Sequence, residues 1–216
     1  MWRRAGKTLA RLWALASIAT LSLATACVSP NAPPSAKIEL GPGGDFAIAQ
    51  RVRVGASVRR DFEAAVMLLE KGQNELGIEK LLEVTKAEPQ LASAHINLGI
   101  AYRRIRDWDR AEASVKRALE VTPRHPVAHN ELGMVLRRQG RFEEARASYE
   151  RALSVAPNFH FARRNLAILC DLFLVDLNCA IEHYERYTQD FPEDEAIAMW
   201  IADLRSRAAK QPEDER

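Results

Sequence analysis

The sequence predicts an all-α solenoid of four helix-turn-helix repeats, closed by a C-terminal capping helix. Three observations carry that prediction. Leu98-Gly99 recurs as Leu132-Gly133, Ala111 as Ala145, Ala118 as Ala152 and Pro123 as Pro157, all at one fixed spacing. Self-similarity at a period of about 34 residues marks stacked helical hairpins. The same register steps backward to Pro89 and forward to Leu166-Ala167. Apolar residues between these landmarks follow helical spacing, and a proline stops each second helix because it lacks the N–H that the next turn needs.

The repeats divide as 58–91, 92–125, 126–159 and 160–194, and 195–210 supplies a ninth helix. In the first repeat the leucine-glycine pair has become Ala64-Ala65, and the first alanine of the second helix has become Gly77. In the fourth, the later landmarks Ala180, Tyr184, Tyr187 and Pro192 arrive one position late, which puts one inserted residue in the turn near Val175. Terminal repeats of a solenoid are expected to depart from the pattern and to end in a polar cap. Gly99 and Gly133 should lie opposite Ala111 and Ala145, where small residues let the paired helices approach closely.

These landmarks resemble the tetratricopeptide repeat: leucine-glycine early in the first helix, two alanines in the second, and a proline at the exit. The resemblance implies a helical solenoid that binds protein segments. It covers 58–194. The family also includes carboxylate-clamp domains that grip chaperone tails with Lys and Asn in the first repeat. Phe62 and Val66 stand at those places here, so that role is not expected.

Residues 1–26 read as a secretory leader. Arg3, Arg4, Lys7 and Arg11 form a basic start, and an apolar run follows from Leu12 to Ala24. That run is short of the ~20 residues of a comfortable membrane span. Small residues follow before a cut, as in a signal peptide. Leu23-Ala24-Thr25-Ala26-Cys27 resembles a bacterial lipobox, which implies lipidation at Cys27; an ordinary A-x-A cleavage site is the other reading. Val28 rather than aspartate follows the cysteine, and the resemblance then favours the periplasmic face of the outer membrane, with soluble periplasm as the alternative. Residues 27–57, punctuated by Pro30, Pro33, Pro34 and Gly41 to Gly44, read as a lipid-anchored flexible linker. Such a tether of ~30 residues spans roughly 30 Å. Residues 211–216 form a charged disordered tail.

Charge excludes little and suggests no nucleic acid. The chain has 31 Lys+Arg against 29 Asp+Glu, a net of +2. The leader holds four bases and no acid, so the mature chain has 27 against 29, a net of −2. No nucleophile elbow, phosphate loop or H-E-x-x-H occurs, so no enzyme and no cofactor are expected. His95 and His129 are one period apart and take one repeat position, which suits packing better than ligation. His125 and His129 are four apart, but Pro126 at a helix start spoils their geometry. Cys170 and Cys179 flank the inserted turn. In an oxidising compartment they can bridge; otherwise they are small buried thiols. Two cysteines without a histidine pair make no metal site.

What remains is binding. At 100° per residue, the first-helix face opposite the packing face carries Val66, Ile100, Met134 and Ile168 in equivalent positions. Arg103-Arg104 and Arg137-Arg138 follow half a turn or so later, and Asn130 and Arg164 lie one turn earlier. An apolar floor flanked by arginines suits a partner segment with hydrophobic anchors and acidic residues. As exposed residues, Arg103 and Arg137 are expected to tolerate reversal to Glu without unfolding of the solenoid. The expected function is a non-catalytic scaffold for an envelope complex, resembling the pilotins that assist secretin and pilus assembly. A partner of a TonB-type system, an envelope-protease adaptor, or a self-associating structural protein are the alternatives.

Overall fold

The computed structural model describes residues 37–40, 46–49 and 54–210. Its helices are α1 Ala56–Glu70, α2 Asn74–Ala87, α3 Ala92–Arg104, α4 Trp108–Val121, α5 Pro126–Arg138, α6 Phe142–Val155, α7 His160–Leu169, α8 Leu177–Asp190 and α9 Glu195–Ala208. Consecutive helices pair into four hairpins, each stacked on the next, and α9 packs on α8. First helices of neighbouring repeats touch (α1 with α3, α3 with α5, α5 with α7), and second helices stand further apart. The first helices therefore form the inner layer.

Close packing sets the hairpins. A Cβ on Gly133 would stand 2.6 Å from the Tyr149 ring, and one on Gly99 would overlap Val115. The residues facing the two glycines lie one turn beyond Ala145 and Ala111. The backbone oxygen of Ala111 is 3.3 Å from the Gly99 position, so the small residues still line the approach. In the first repeat the contact is inverted, with Gly77 of α2 set against the Leu69 side chain of α1. Buried residues form three clusters that run across repeat junctions. Val135 of α5, for instance, shares one with Leu69, Leu81 and Leu98. Ile197, Ile201 and Leu204 of α9 close the last cluster over Tyr184 and Tyr187. The other side of α9 leaves Met199 72% exposed.

The junctions are tied by a repeated hydrogen bond. Nε2 of His95 and of His129 bonds the carbonyls of Pro89 and Pro123 at 3.0 and 2.8 Å. One period on, Arg163 donates to the Pro157 carbonyl in the same place. Each side chain thus satisfies a backbone acceptor just past the preceding second helix, and His95 and His129 are structural. Asp107, Asp176 and Asp194 cap α4, α8 and α9 by accepting from Arg110, Cys179 and Ile197 backbone N–H groups. His125 caps α5: its Nδ1 accepts from the Ala128 N–H at 3.3 Å. Pro126 at the first helical position costs nothing there, since that N–H has no helical partner.

The inserted residue of the fourth repeat is absorbed within the first helix rather than in the turn. Residues Cys170–Leu174 continue α7 as a π-helical turn, and Val175 then ends it with φ 56°. A π-turn takes one more residue per hydrogen-bonded loop, so it accommodates an insertion without shifting the helices on either side. The Asp176 N–H bonds the Cys170 carbonyl at 2.9 Å to close it.

The stretch read as a linker contains two strands, β1 Lys37–Leu40 and β2 Phe46–Ala49. They pair antiparallel, with Ile38 opposite Ile48. Lys37-Ile38-Glu39-Leu40 alternates polar and apolar residues, a period of two that a search for helical spacing passes over. The leader, Cys27 and residues 211–216 lie outside the described residues. Among the described residues no helix is long and apolar enough to cross a membrane.

Candidate functional site

The inner face is built from α1, α3, α5 and α7. Val66, Ile100, Met134 and Ile168 occupy equivalent places along it and are half-buried. Polar groups beside them divide into those tied within the chain and those facing solvent. Asn130 is 4% exposed, and its Oδ1 accepts from Asn165 Nδ2 at 3.0 Å, bracing α5 to α7. Its own Nδ2 faces the Met134 sulfur at 3.7 Å. Asn130 is thus part of the junction between two repeats.

Arg103 is also engaged. Its Nε donates to Glu131 Oε2 at 2.8 Å across α3 and α5. Glu131 is 7% exposed; burial pushes its carboxyl above the usual range, and the Arg103 guanidinium pulls against that. The expectation that Arg103 tolerates reversal to Glu is corrected by this pair: two carboxylates would face each other with little water to screen them. Arg104 is exposed but donates to the Leu69 carbonyl at 2.7 Å, satisfying an acceptor at the end of α1. Arg137 sits over the Phe173 ring at 5.9 Å. Arg138 and Arg164 are exposed, and no carboxylate pairs with either among the described residues.

Where α3 and α5 end, a pocket of about 500 Å³ opens. Arg103, Arg104, Arg137 and Arg138 reach it from the helix ends, Arg106 from the turn, and Trp108 and Met134 complete its wall. Sequence reasoning missed Arg106 and Trp108, because it followed the faces of the first helices and skipped the turn and the start of the second helix. A signal was present in the register: Arg106 stands one full period from both Gly72 and Gly140.

Cys170 and Cys179 are joined by a disulfide, with Cα atoms 5.9 Å apart. Asp176 lies beside them, completing the one group of three potential metal ligands among the described residues. With the sulfurs bonded to each other neither offers a thiolate, and Asp176 is used as the α8 cap. His125 is wholly buried, and burial together with neighbouring His129 holds its pKa down at about 4.

The tetratricopeptide repeat family model matches residues 62–120 and 96–160. Comparison with curated protein sequences finds no match. Solved structures of similar shape include MamA from Desulfovibrio magneticus RS-1, 21% identical, covering 73% of this chain and 88% of that one with a TM-score of 0.64. PilF of Pseudomonas aeruginosa is 21% identical over 71% of this chain and 70% of its own, with a TM-score of 0.64. PilW, a widely conserved type IV pilus biogenesis factor, is 18% identical over 73% and 72%, with a TM-score of 0.64. At these identities the likeness establishes the fold. Repeat spacing, hairpin stacking and the family match together make this chain a tetratricopeptide-repeat protein.

Proposed function

We propose that the chain is a non-catalytic scaffold that captures a protein segment on its inner face. The scaffold is held at the periplasmic side of the outer membrane by lipid on Cys27, and it assists assembly of an envelope complex of the pilus or secretin kind. The observation that carries the binding reading is the register of half-buried Ile100, Met134 and Ile168 with the exposed arginines Arg138 and Arg164. An extended or helical segment would place apolar side chains on the first three and carboxylates toward the second pair. Similarity of fold to PilF and PilW supports the pilus context. Support for the anchor is the Ala24-Thr25-Ala26-Cys27 sequence behind a basic, apolar leader.

Two experiments test the reading. Crosslinking pull-down from envelope extracts compares Arg138→Glu with Arg164→Glu and, as controls on second helices, Arg117→Glu and Arg151→Glu. Loss of partner from the first pair alone is the expected result; equal loss from both pairs, or from neither, removes the inner face. Cys27→Ser should abolish incorporation of labelled palmitate. A wild-type protein that takes up no label and fractionates with soluble periplasm overturns the anchor.

A further inference from the structure

Arg106 occupies a backbone position that the repeats on either side give to glycine. Gly72, Arg106 and Gly140 follow one another at steps of one repeat and have φ of 75°, 63° and 78°. Each is the left-handed residue just after a first helix. The chain closes identically around them: Gln73, Asp107 and Arg141 N–H groups bond Leu68, Tyr102 and Leu136 carbonyls at 2.9, 2.9 and 3.0 Å. This is the usual glycine stop of a helix. An L residue there is disfavoured, because its Cβ crowds the following carbonyl. A Cβ on Gly72 or Gly140 would meet nothing within 4 Å, so the cost at this position lies in the backbone alone.

Nothing among the described residues accounts for that cost. The Arg106 side chain is exposed and makes no hydrogen bond or ion pair with any described residue. The other arginines of the pocket have local reasons to be there. Arg103 pairs with Glu131, Arg104 satisfies the end of α1, and Arg137 and Arg138 lie in the last turn of α5, where the helix dipole favours cations. Arg106 has none of these reasons, and it brings a further like charge to a pocket that already holds four. The fourth repeat also carries a non-glycine at this place, Val175 with φ 56°, so the backbone cost alone names no function; the repulsion that Arg106 adds to the pocket is what a bound anion relieves.

We propose that this pocket binds clustered carboxylates of an acidic protein segment, with Arg106, Arg137 and Arg138 as the ligating guanidiniums and Trp108 as its apolar wall. The proposal rests on the protein-binding reading and specifies its chemistry and place. Separate carboxylates fit better than one phosphate. The guanidiniums belong to two repeats, whose helix axes pack about 8–10 Å apart. Acidic residues three apart in a polyproline II segment share one face and are about 9 Å apart, at roughly 3.1 Å per residue. Each planar fork can then take one carboxylate in a paired contact.

The test uses the mature chain and a fluorescein-labelled peptide with glutamates at every third position, read by anisotropy at low and physiological salt. The same peptide with glutamines, inorganic phosphate as competitor, and phosphatidylglycerol vesicles are the comparison arms. Wild type should bind the glutamate peptide at least tenfold more tightly than the glutamine peptide, and binding should weaken with salt. Arg106→Gly should lose at least fivefold in affinity yet melt about 2–4 °C higher, since the left-handed backbone no longer carries a Cβ. Arg106→Gln should lose the affinity without the gain in melting temperature.

Equal binding of both peptides, unchanged affinity in Arg106→Gly, or competition by phosphate as strong as by the peptide overturns the proposal. So does binding of vesicles in preference to the peptide. A pull-down of Arg106→Gly beside Ile168→Asp, a ladder position outside the pocket, separates the two readings. Partner lost only in Ile168→Asp removes the arginine site and leaves the scaffold. Partner kept in both removes the inner face as well.

Discussion

Replacing Gly133 by alanine tests whether the hairpins depend on contact between helices or only on helical propensity. The added Cβ would stand 2.6, 2.7 and 2.9 Å from the Tyr149 ring atoms Cε1, Cδ1 and Cζ. Carbons attract best at roughly 3.5–4.0 Å, so either the ring or the helix has to retreat. The ring has little room: Tyr149 is 0% exposed and sits in one cluster with Leu136, Ala145 and Leu166. Its hydroxyl is buried without a partner among the described residues, so pushing it deeper gains no hydrogen bond there. Overpacking of this kind costs about 1–3 kcal/mol. Alanine in place of glycine in a helix returns roughly 0.5–1 kcal/mol. The balance is a loss of about 1–2 kcal/mol, read as a melting temperature about 3–6 °C lower by circular dichroism. In a Tyr149→Leu background the steric cost disappears, and Gly133→Ala should then be neutral or stabilising. If Gly133→Ala by itself leaves the melting temperature unchanged or raises it, close approach at this glycine does not hold the third repeat together.

Three further outcomes are expected. His125 has its pKa depressed from 6.5 to about 4, so the unfolded chain takes up a proton that the fold refuses. Stability present above pH 6.5 is therefore lost as pH falls toward 4, by up to roughly 3 kcal/mol; His125→Asn keeps a capping oxygen and should flatten that decline in urea melts at pH 7 and 4.5, and an unaltered pH dependence would refute it. Arg103→Ala should destabilise by about 3 kcal/mol, the lower end for breaking a buried pair because a quarter of the Arg103 side chain stays in water. The double variant with Glu131→Met should recover most of this, and failure to recover would mean that the unpaired carboxylate is not the cause. Reducing the Cys170–Cys179 bridge, a sequence separation of 9, should cost about 2–3 kcal/mol through the freedom returned to the unfolded chain; two titratable thiols in the unreduced protein together with identical melts under reductant would count against it.

The repeat period determined most of the architecture. Stacked hairpins interact chiefly with their neighbours, and the residues that mediate those contacts repeat with the chain. Leu98-Gly99, Ala111, Pro123 and their copies could therefore be read directly as helix pairs and their ends. The extra residue in the fourth repeat was legible too, because Ala180, Tyr184 and Pro192 are out of step. How it is absorbed was not legible: a π-turn and a loose loop have the same residue count, and only packing of α7 on α8 selects the first. The strand pair Lys37–Leu40 and Phe46–Ala49 was not legible as a pair, because four-residue alternation is weak beside glycine and proline.

The inner face divides along the same line. The ladder Val66, Ile100, Met134 and Ile168 followed from helical geometry alone, since side chains one period apart share a direction. Which arginines remain for a ligand was decided by the tertiary structure. Arg103 meets Glu131 at a sequence separation of 28 and Arg104 meets Leu69 at 35. Those meetings depend on how one repeat leans on the next, which no spacing in the sequence records. Arg106 shows both levels at once: its departure from glycine is written in the repeat register, but its convergence with Arg137, Arg138 and Trp108 on one pocket exists only because α3 and α5 end side by side.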